Sequence, residues 1–575
     1  MDKNQLKFKK EKIILTASIG QCVHVAGTQN FISIAEKLGY NCIFLGPANS
    51  ISDVIKSIKK HQPDIIGLSY RLTPETVKPL LKSFFRKYQK LDHQAEQLYF
   101  AGTAKVIEIV KQFKQFDRYF IGDESRYEII SILKNENVHN KINHSSDIPS
   151  SLISRLEWKK PFPLIRAHFG LPSLERTLQG IKKIAEAKVL DVISIAPDQN
   201  TQENFFHPQE QKEELSGAGG VPLRNVDDFN KLDKARQYGN TPLLRIYAGT
   251  RDFIKLAKLY NKTINNAWAA IPIFWFNQMD RRGPLSLRRS IQQHLEAIRW
   301  HGKRSIPVEI NDPHHWSLRN APDAIAVADM YLCGIIAKKL GVKHFIAQYM
   351  FNTPPNISFE MDLAKILAKN ELLKTLENDS FRIITQVRTG LASFPLNTNK
   401  AKGQLAASSL IQLLLKPNII HVVSFSEASH AAFPEDIIES CQIVDQVVKK
   451  MSSSNVRLDN KLYNERKESL IKQAKWIVNL IPRLTRDHEN IECPWLNPSI
   501  LSRLVELGIF DAPHLKNNRF GKGMIKTKVI KGGYDSINEY NEPISEIERI
   551  SEILLDLDDY NVELISENQN EKVST

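Results

Sequence analysis

Cysteine is scarce in this chain. Five occur in 575 residues, Cys22, Cys42, Cys333, Cys441 and Cys493, and no two lie within ten residues of each other. That spacing excludes Cys-x-x-Cys zinc and redox motifs, and the tight three-cysteine loop that holds the cluster of radical-SAM enzymes. An odd, sparse set suits a reducing compartment, so a cytoplasmic location is expected. Long apolar runs are also missing. The longest, Ala267–Phe276, is too short to span a bilayer, so no membrane association is expected. The basic start, MDKNQLKFKKEK, leads through a short apolar stretch into a motif, so no signal peptide is expected either. There is no Gly-x-Ser-x-Gly elbow, no Walker loop, no dinucleotide fingerprint, no internal repeat and no low-complexity block.

Charge is plentiful and unevenly placed. The net formal charge is +14, yet the last 35 residues carry ten acids against two bases, which leaves the rest of the chain at +22. A basic body can serve anionic ligands, but no recognition module accompanies it, so nucleic acid is not an expected partner. Hydrophobic residues at 42% and charged residues at 25% are ordinary for a globular protein and exclude disorder as the main state.

Strand and helix patterns alternate strictly over residues 12–135. Apolar strands are expected at Ile13–Ala17, Cys42–Leu45, Ile65–Ser69, Tyr99–Ala101 and Tyr119–Ile121, with helical spacing between them. This predicts a doubly wound parallel sheet in a domain spanning 1–135, with ligands beyond the carboxyl ends of its strands. A polar linker is expected over 136–160. The rhythm resumes over 161–450, with strands at Val192–Ile195, Leu243–Tyr247, Ala270–Phe274, Val308–Ile310, Phe345–Ala347, Ile383–Gln386 and Ile420–Ser424. Seven or eight such units predict a (β/α)8 barrel, whose chemistry sits at the carboxyl ends of its strands. Residues 451–575 are expected to be a mainly helical extension ending in the acidic tail.

Two constellations carry chemistry. The first is Gly20-Gln-Cys22-Val-His24-Val-Ala-Gly27, just after the first strand. An imidazole on that loop is exposed at a ligand-binding edge and needs a partner on its second nitrogen to fix its tautomer. Ser69-Tyr-Arg-Leu72 follows the third strand, and Gly102-Thr103 follows the fourth. Together these loops resemble the cobalamin-binding fold, whose Asp-x-His-x-x-Gly motif supplies the lower cobalt ligand. The resemblance implies that His24 binds cobalt, that Cys22, Gly27, Ser69, Leu72, Gly102 and Thr103 bind the cofactor with it, and that the nucleotide tail enters near Ser69 and Gly102. Cys22 stands where that family has Asp. A thiol is the weaker acceptor, so the bond orienting His24 is expected to be weaker.

The second constellation lies in the barrel. Arg166 and Arg245 sit on strands, where a guanidinium fork can hold a carboxylate bidentately. Asn311-Asp-Pro-His314-His315-Trp316 follows another strand. Adjacent residues of a strand point to opposite faces, so His314 and His315 are not expected to form a metal pair, and one of them is a candidate acid–base group. Phe394-Pro395, Lys400-Ala401 with Gly403, and Glu427-Ala428 with Pro434-Glu435 follow in order. This order resembles the catalytic epsilon subunit of glutamate mutase (methylaspartate mutase). The resemblance implies that Arg166 and Arg245 bind substrate carboxylate and that Glu427 holds the ribose of an adenosyl group. It places Gln202 where the family has a third arginine, and Asn266-Ala-Trp268 where it has Glu-Gly-Gly. Glutamate is therefore not the expected substrate, and a molecule with one carboxylate and an apolar remainder fits better.

The resulting expectation is an adenosylcobalamin-dependent isomerase, a radical carbon-skeleton mutase, acting on a small carboxylate. Its catalytic residues would be Arg166, Arg245, Gln202, His314 and Glu427, and a homodimer is among the assemblies it allows. The alternatives are a methylcobalamin-dependent corrinoid methyltransferase and a non-catalytic cobalamin-binding protein.

Overall fold

The computed structural model describes residues 12–122, 124, 126–134, 148–451, 461–484 and 492–555. About half of the expected linker (residues 136–147) and the acidic tail beyond 555 lie outside these. The chain divides into two compact units, Met1–Asp147 and Ile148–Thr575.

The first unit is a five-stranded parallel sheet: β1 (Ile13–Ser18), β2 (Asn41–Phe44), β3 (Ile65–Tyr70), β4 (Gln97–Gly102) and β5 (Arg118–Phe120), in the order β2-β1-β3-β4-β5. The expected strands are all present, with ends shifted by a residue or two. The register is fixed at the amino end by Asp64, whose carboxylate accepts the Ile13 N–H at 2.6 Å. On one face, Leu15, Leu68 and Phe100 bury with Leu81, Phe84 and Val106 of the covering helices. The other face is cut away by small residues, and that is where the site lies.

The second unit opens with a helix, Leu152–Lys159, inside the stretch expected to be linker. Eight parallel strands follow: β6 (Leu164–Phe169), β7 (Val192–Ile195), β8 (Leu243–Ile246), β9 (Ala269–Ala270), β10 (Val308–Glu309), β11 (His344–Phe351), β12 (Arg382–Thr389) and β13 (Ile419–Val422). Their order is β8-β7-β6-β13-β12-β11-β10-β9, and a bridge from Tyr247 to Ala270 closes the ring. This is the expected barrel. Strand β9 is shorter than the expected Ala270–Phe274 because Pro272 has no N–H to give the ladder. The next two amides, Ile273 and Phe274, donate instead to the carboxylate of Asp312.

The amino end of the barrel is stoppered. Leu152 and Leu156 of the first helix pack on Leu164, Val192, Leu243, Ile346, Ile384 and Ile419, one inward residue from each of six strands. The helix is fastened at its end by a buried ion pair between Lys159 and Asp191. The C-terminal residues belong to the same unit. Helix Lys461–Leu480 packs on helices Asp323–Lys339 and Phe359–Lys374. The extension is not wholly helical: β14 (Thr527–Ile530), β15 (Gly533–Ile537) and β16 (Pro543–Ile544) form an antiparallel sheet. Among the described residues, no helix is long and apolar enough to cross a membrane.

Candidate functional site

In the first unit, a cavity of about 110 Å³ opens at the carboxyl edge of the sheet. Its floor is Thr16, Gly67 and Ala101, small residues on β1, β3 and β4. Register places Thr16 beside Gly67, where a Cβ would stand 3.1 Å from the Thr16 methyl. Its walls are Phe31, Tyr99 and Phe120, an edge-packed trio with centroids 5.6–6.2 Å apart. His24 lies at the mouth, exposed to solvent. The loop carrying it is held down by Ser18, whose hydroxyl donates to the His24 carbonyl and meets the Ser69 hydroxyl, both at 3.1 Å.

Of the residues singled out from sequence, His24, Gly27, Ser69 and Gly102 line this cavity. Gly102 is obligatory for close approach, since a Cβ there would stand 2.8 Å from the Tyr70 carbonyl. Cys22 is buried behind His24. Its sulfur accepts the Arg71 N–H at 3.3 Å and lies 3.8 Å from His24 Nδ1, a weak contact in the position of the orienting partner. Leu72 and Thr103 are outside the lining. Leu72 is exposed, and Thr103 caps helix Ala104–Val110. The aromatic walls escaped notice because Phe31 reads in sequence as one more apolar helix position.

The barrel interior is layered by the two-residue period of its strands. Above the apolar floor comes a polar layer. Glu309 Oε2 accepts from Trp268 Nε1 at 2.7 Å and from Arg166, Arg245 and Gln386 at 3.3 Å each. Arg166 also donates to Ser194 Oγ at 2.6 Å, Gln386 Oε1 at 2.7 Å and His168 Nε2 at 3.0 Å. Both arginines are essentially inaccessible. They differ in satisfaction: Arg166 is fully engaged, whereas Nε and Nη1 of Arg245 have no hydrogen-bond partner among the described residues, and the guanidinium lies 4.4 Å from the Tyr247 ring. Burial raises the Glu309 carboxyl, but the two arginines and the bonds from Trp268 and Gln386 outweigh it and hold the group below its ordinary value. Burial and the charge of Arg245 push Arg166 down to about 9, against the pull of Glu309.

The third layer lines a cavity of about 670 Å³ at the carboxyl ends of the strands. Tyr247, Met350 and Arg388 reach it from strand ends, with Gln202, Arg282, His314, His315 and Arg319 from the connections. Gln202 is placed by Asp198, which caps its helix and is gripped by both Nη atoms of Arg224 at 2.5 and 3.0 Å. The segment after β10 is a helix, Asp312–Ser317, and not the expected strand continuation. Successive helical residues are about 100° apart, so both imidazoles face the cavity, with ring centroids 4.3 Å apart. No cluster of metal-binding side chains is present among the described residues. Burial, followed by nearby cationic groups, holds His168, His314, His315 and His421 well below the ordinary imidazole value, so all four are neutral.

The expected catalytic residues therefore separate by depth. Gln202 and His314 line the cavity, while Arg166 and Arg245 lie beneath it. A relay connects the two levels: Arg166 donates to Gln386, Gln386 to Gln348, and Gln348 to His314 Nδ1 at 3.2 Å. Glu427 stands on the turn after β13, outside the lining; the residue is exposed overall, but partial desolvation of its carboxyl raises it above the ordinary value, against the pull of Arg388. Glu309, Arg282, Arg319 and Arg388 were not foreseen. The expected strand Ile383–Gln386 stopped short of Arg388, and the other two arginines come from long connections without local signals.

The sequence profile described as methylaspartate mutase E chain (MutE) matches residues 153–491, more than half of the chain. No curated protein matches significantly. Among solved structures, a cobalamin-binding protein from Desulfitobacterium hafniense DCB-2 is 23% identical over 19% of this chain and 53% of its own, with a TM-score of 0.16. The chain thus spans about half the length of that protein. A rubisco-like protein from Burkholderia fungorum is 12% identical over 57% of this chain and 70% of its own, with a TM-score of 0.33. A 2,3-dimethylmalate lyase, described as a member of the PEP mutase/isocitrate lyase superfamily, is 9% identical over 55% and 92%, with a TM-score of 0.26.

Proposed function

The chain belongs to the methylaspartate mutase E chain family, and from that premise we propose that it is an adenosylcobalamin-dependent isomerase acting on a small carboxylate. The unit Met1–Asp147 holds the corrinoid, and the barrel binds and shields the substrate. The observation that carries the first half is the exposed imidazole of His24 at the mouth of an aromatic-walled, small-floored slot.

The residues present fit a corrinoid with a nucleotide tail. His24 would hold the cobalt through one ring nitrogen, and a single protein ligand suffices for a metal already held by a macrocycle. Thr16, Gly67 and Ala101 clear the sheet surface for a flat group, and Phe31, Tyr99 and Phe120 offer it apolar contact. Ser69, paired with Ser18, stands at the inner end with a hydroxyl for a polar tail. Bound adenosylcobalamin supplies radical chemistry through homolysis of its cobalt–carbon bond.

In the barrel, this chain's own residues bind, orient and exclude water. Arg388, Arg319 and Arg282 attract the substrate's acid group. The neutral imidazoles of His314 and His315 offer hydrogen bonds without adding charge. Phe276, Leu318, Met350 and Leu391 give an apolar wall for the carbon skeleton. The ionic layer of Arg166, Arg245 and Glu309 acts from below, fixing the strands that bear Tyr247 and Arg388.

The test is a visible spectrum and cobalt electron paramagnetic resonance of the full chain reconstituted with adenosyl- or methylcobalamin, beside His24→Ala. Nitrogen superhyperfine splitting in the cob(II)alamin form, lost in the variant, supports ligation by His24. A radical signal elicited by a carboxylate supports the isomerase. Demethylation of methylcobalamin with no such signal replaces it with methyl transfer, and failure of both corrinoids to bind removes the proposal.

A further inference from the structure

The barrel cavity has a one-sided charge. Its described lining contains three arginines, Arg282, Arg319 and Arg388, and no Asp or Glu. Arg282 and Arg319 share a single carboxylate behind the wall, Asp280, at 2.9 and 3.5 Å. Each is stacked on an aromatic ring at 3.9 Å, Arg282 on Phe276 and Arg319 on Trp275, which fixes the forks in place. Arg388 is buried, donates Nε to the Thr389 carbonyl at 3.4 Å, and has no ion pair among the described residues. Among the described residues the three cations thus share one ion-paired anion, Asp280, while Glu427 acts on Arg388 from outside the lining.

The three act on one place. Arg282, Arg319 and Arg388 line the same cavity as the imidazole pair of His314 and His315. Neither imidazole adds charge, because both are neutral. Among the described residues no carboxylate lines the cavity to receive an ammonium group; Glu427, which acts electrostatically on Arg388, stands on the turn after β13 outside the lining. Glu309 lies in the layer below, where its Oε2 is already engaged by Trp268, Gln386 and the two inner arginines. Glu203, Glu210 and Glu214 line a separate outer cavity.

We infer that the barrel's substrate is a small molecule with two acid groups and no ammonium group, either a dicarboxylate or a phosphorylated carboxylate. This names the substrate class of the site proposed above and rests on that reading. A second acid group takes up the excess of positive charge that one carboxylate leaves unmatched, and planar guanidinium forks pair with carboxylate and phosphate alike. An α-amino group in the same cavity would meet three cations and no counter-charge. The site accordingly differs from the one-carboxylate substrate expected from sequence, because the arginines that matter are not those that the strand pattern offers.

Isothermal titration calorimetry of the full chain, first alone and then loaded with adenosylcobalamin, tests this with glutarate, phosphoglycolate, glutamate and butyrate. Glutarate or phosphoglycolate is expected to bind at least tenfold more tightly than glutamate and butyrate, and which of the two wins identifies the second acid. Arg388→Gln should weaken that binding at least tenfold while moving butyrate less than threefold. Should that variant fail to fold, Arg282→Gln, at a half-exposed position, provides the same comparison. Glutamate or butyrate binding as tightly as both ammonium-free diacids overturns the inference, and so does binding of none of the four in either state. Diacid binding without corrinoid binding removes the proposed cofactor and leaves the cavity's specificity standing. Corrinoid binding without diacid selectivity does the reverse.

Discussion

Glu309→Gln is the sharpest perturbation of the barrel. The wild-type carboxylate is the one anion that holds Arg166 and Arg245 together inside the ring. Glutamine keeps the shape and can still accept the Trp268 N–H, but it removes the charge and points an amide at two guanidinium groups. Breaking a buried pair by removing one partner costs about 3–5 kcal/mol. An unfolding entropy of ~2.1 cal/mol/K per residue over roughly 400 ordered residues gives about 0.8 kcal/mol/K, so the melting temperature should fall by about 4–6 °C. The assay is a calorimetric melt at pH 7 of wild type, Glu309→Gln, Arg245→Met and the double variant. Arg245 already carries two unpartnered nitrogens. Removing it should therefore relieve the glutamine variant, and the double variant should lose at least ~1 kcal/mol less than the sum of the singles. The pH dependence has a definite sign. The folded carboxyl is held below its ordinary value, so its contribution is present above the unfolded value near 4.3 and is lost only as pH falls through the lower folded value. The gap between wild type and Glu309→Gln should persist at pH 5. A shift under 1 °C at pH 7, or strict additivity with Arg245→Met, would refute the view of this layer as one coupled charge network.

Three further outcomes follow from the same structure. His168, His314, His315 and His421 are neutral in the folded barrel, so each should forfeit about 1.4 kcal/mol of stability at pH 5.5, where the unfolded imidazole takes up a proton; thermal melts between pH 7.5 and 5.5 should fall steeply, and a flat profile would show these groups to be hydrated. Cys22→Asp, which puts a strong acceptor beside His24 Nδ1 in place of a sulfur at 3.8 Å, should tighten corrinoid binding roughly tenfold in a spectral titration, and an unchanged or weaker affinity would count against the orienting role. Leu152→Ala, which opens the floor that the first helix closes, should cost about 2–4 kcal/mol in denaturant melts; a loss under 1 kcal/mol would mean that the helix is not a stopper.

The doubly wound sheet was legible because each strand is a short apolar run bounded by a polar turn. The barrel was legible for the same reason, except at its ends. Strand β6 begins at Leu164 with Arg166 and His168 on alternate inward positions, and so reads as polar. The site was harder to read, and the cause is depth. Inward residues recur every second position, so Leu164, Arg166 and His168 mark floor, middle and mouth, as do Leu243, Arg245 and Tyr247. Counting from the start of each strand places both arginines one layer too deep to line the cavity. The same count carried along β12, through Ile384 and Gln386, would have brought Arg388 to the mouth. The C-terminal hairpin escaped because its turn is Lys531-Gly532, both at positive φ, where Asn-Gly is the stronger signal.

The layering divides the barrel's labour in a way that bears on specificity. The floor supplies apolar burial, and the middle layer spends its hydrogen bonds inward, on Glu309 and the glutamine relay. Neither can change one residue at a time without leaving a cavity or an unpaired charge. Only the mouth is free to vary. There Arg282 and Arg319 come from connections rather than strands, and Arg282 is stacked on Phe276 with nearly half its surface in solvent. A connection can exchange a side chain without disturbing the ladder beneath it. Buried Arg166 and Arg245 are held by what the fold needs, and the cationic mouth is held by what the cavity binds. The charge of a ligand for this barrel is therefore better read from Arg282, Arg319 and Arg388 than from the two inner arginines.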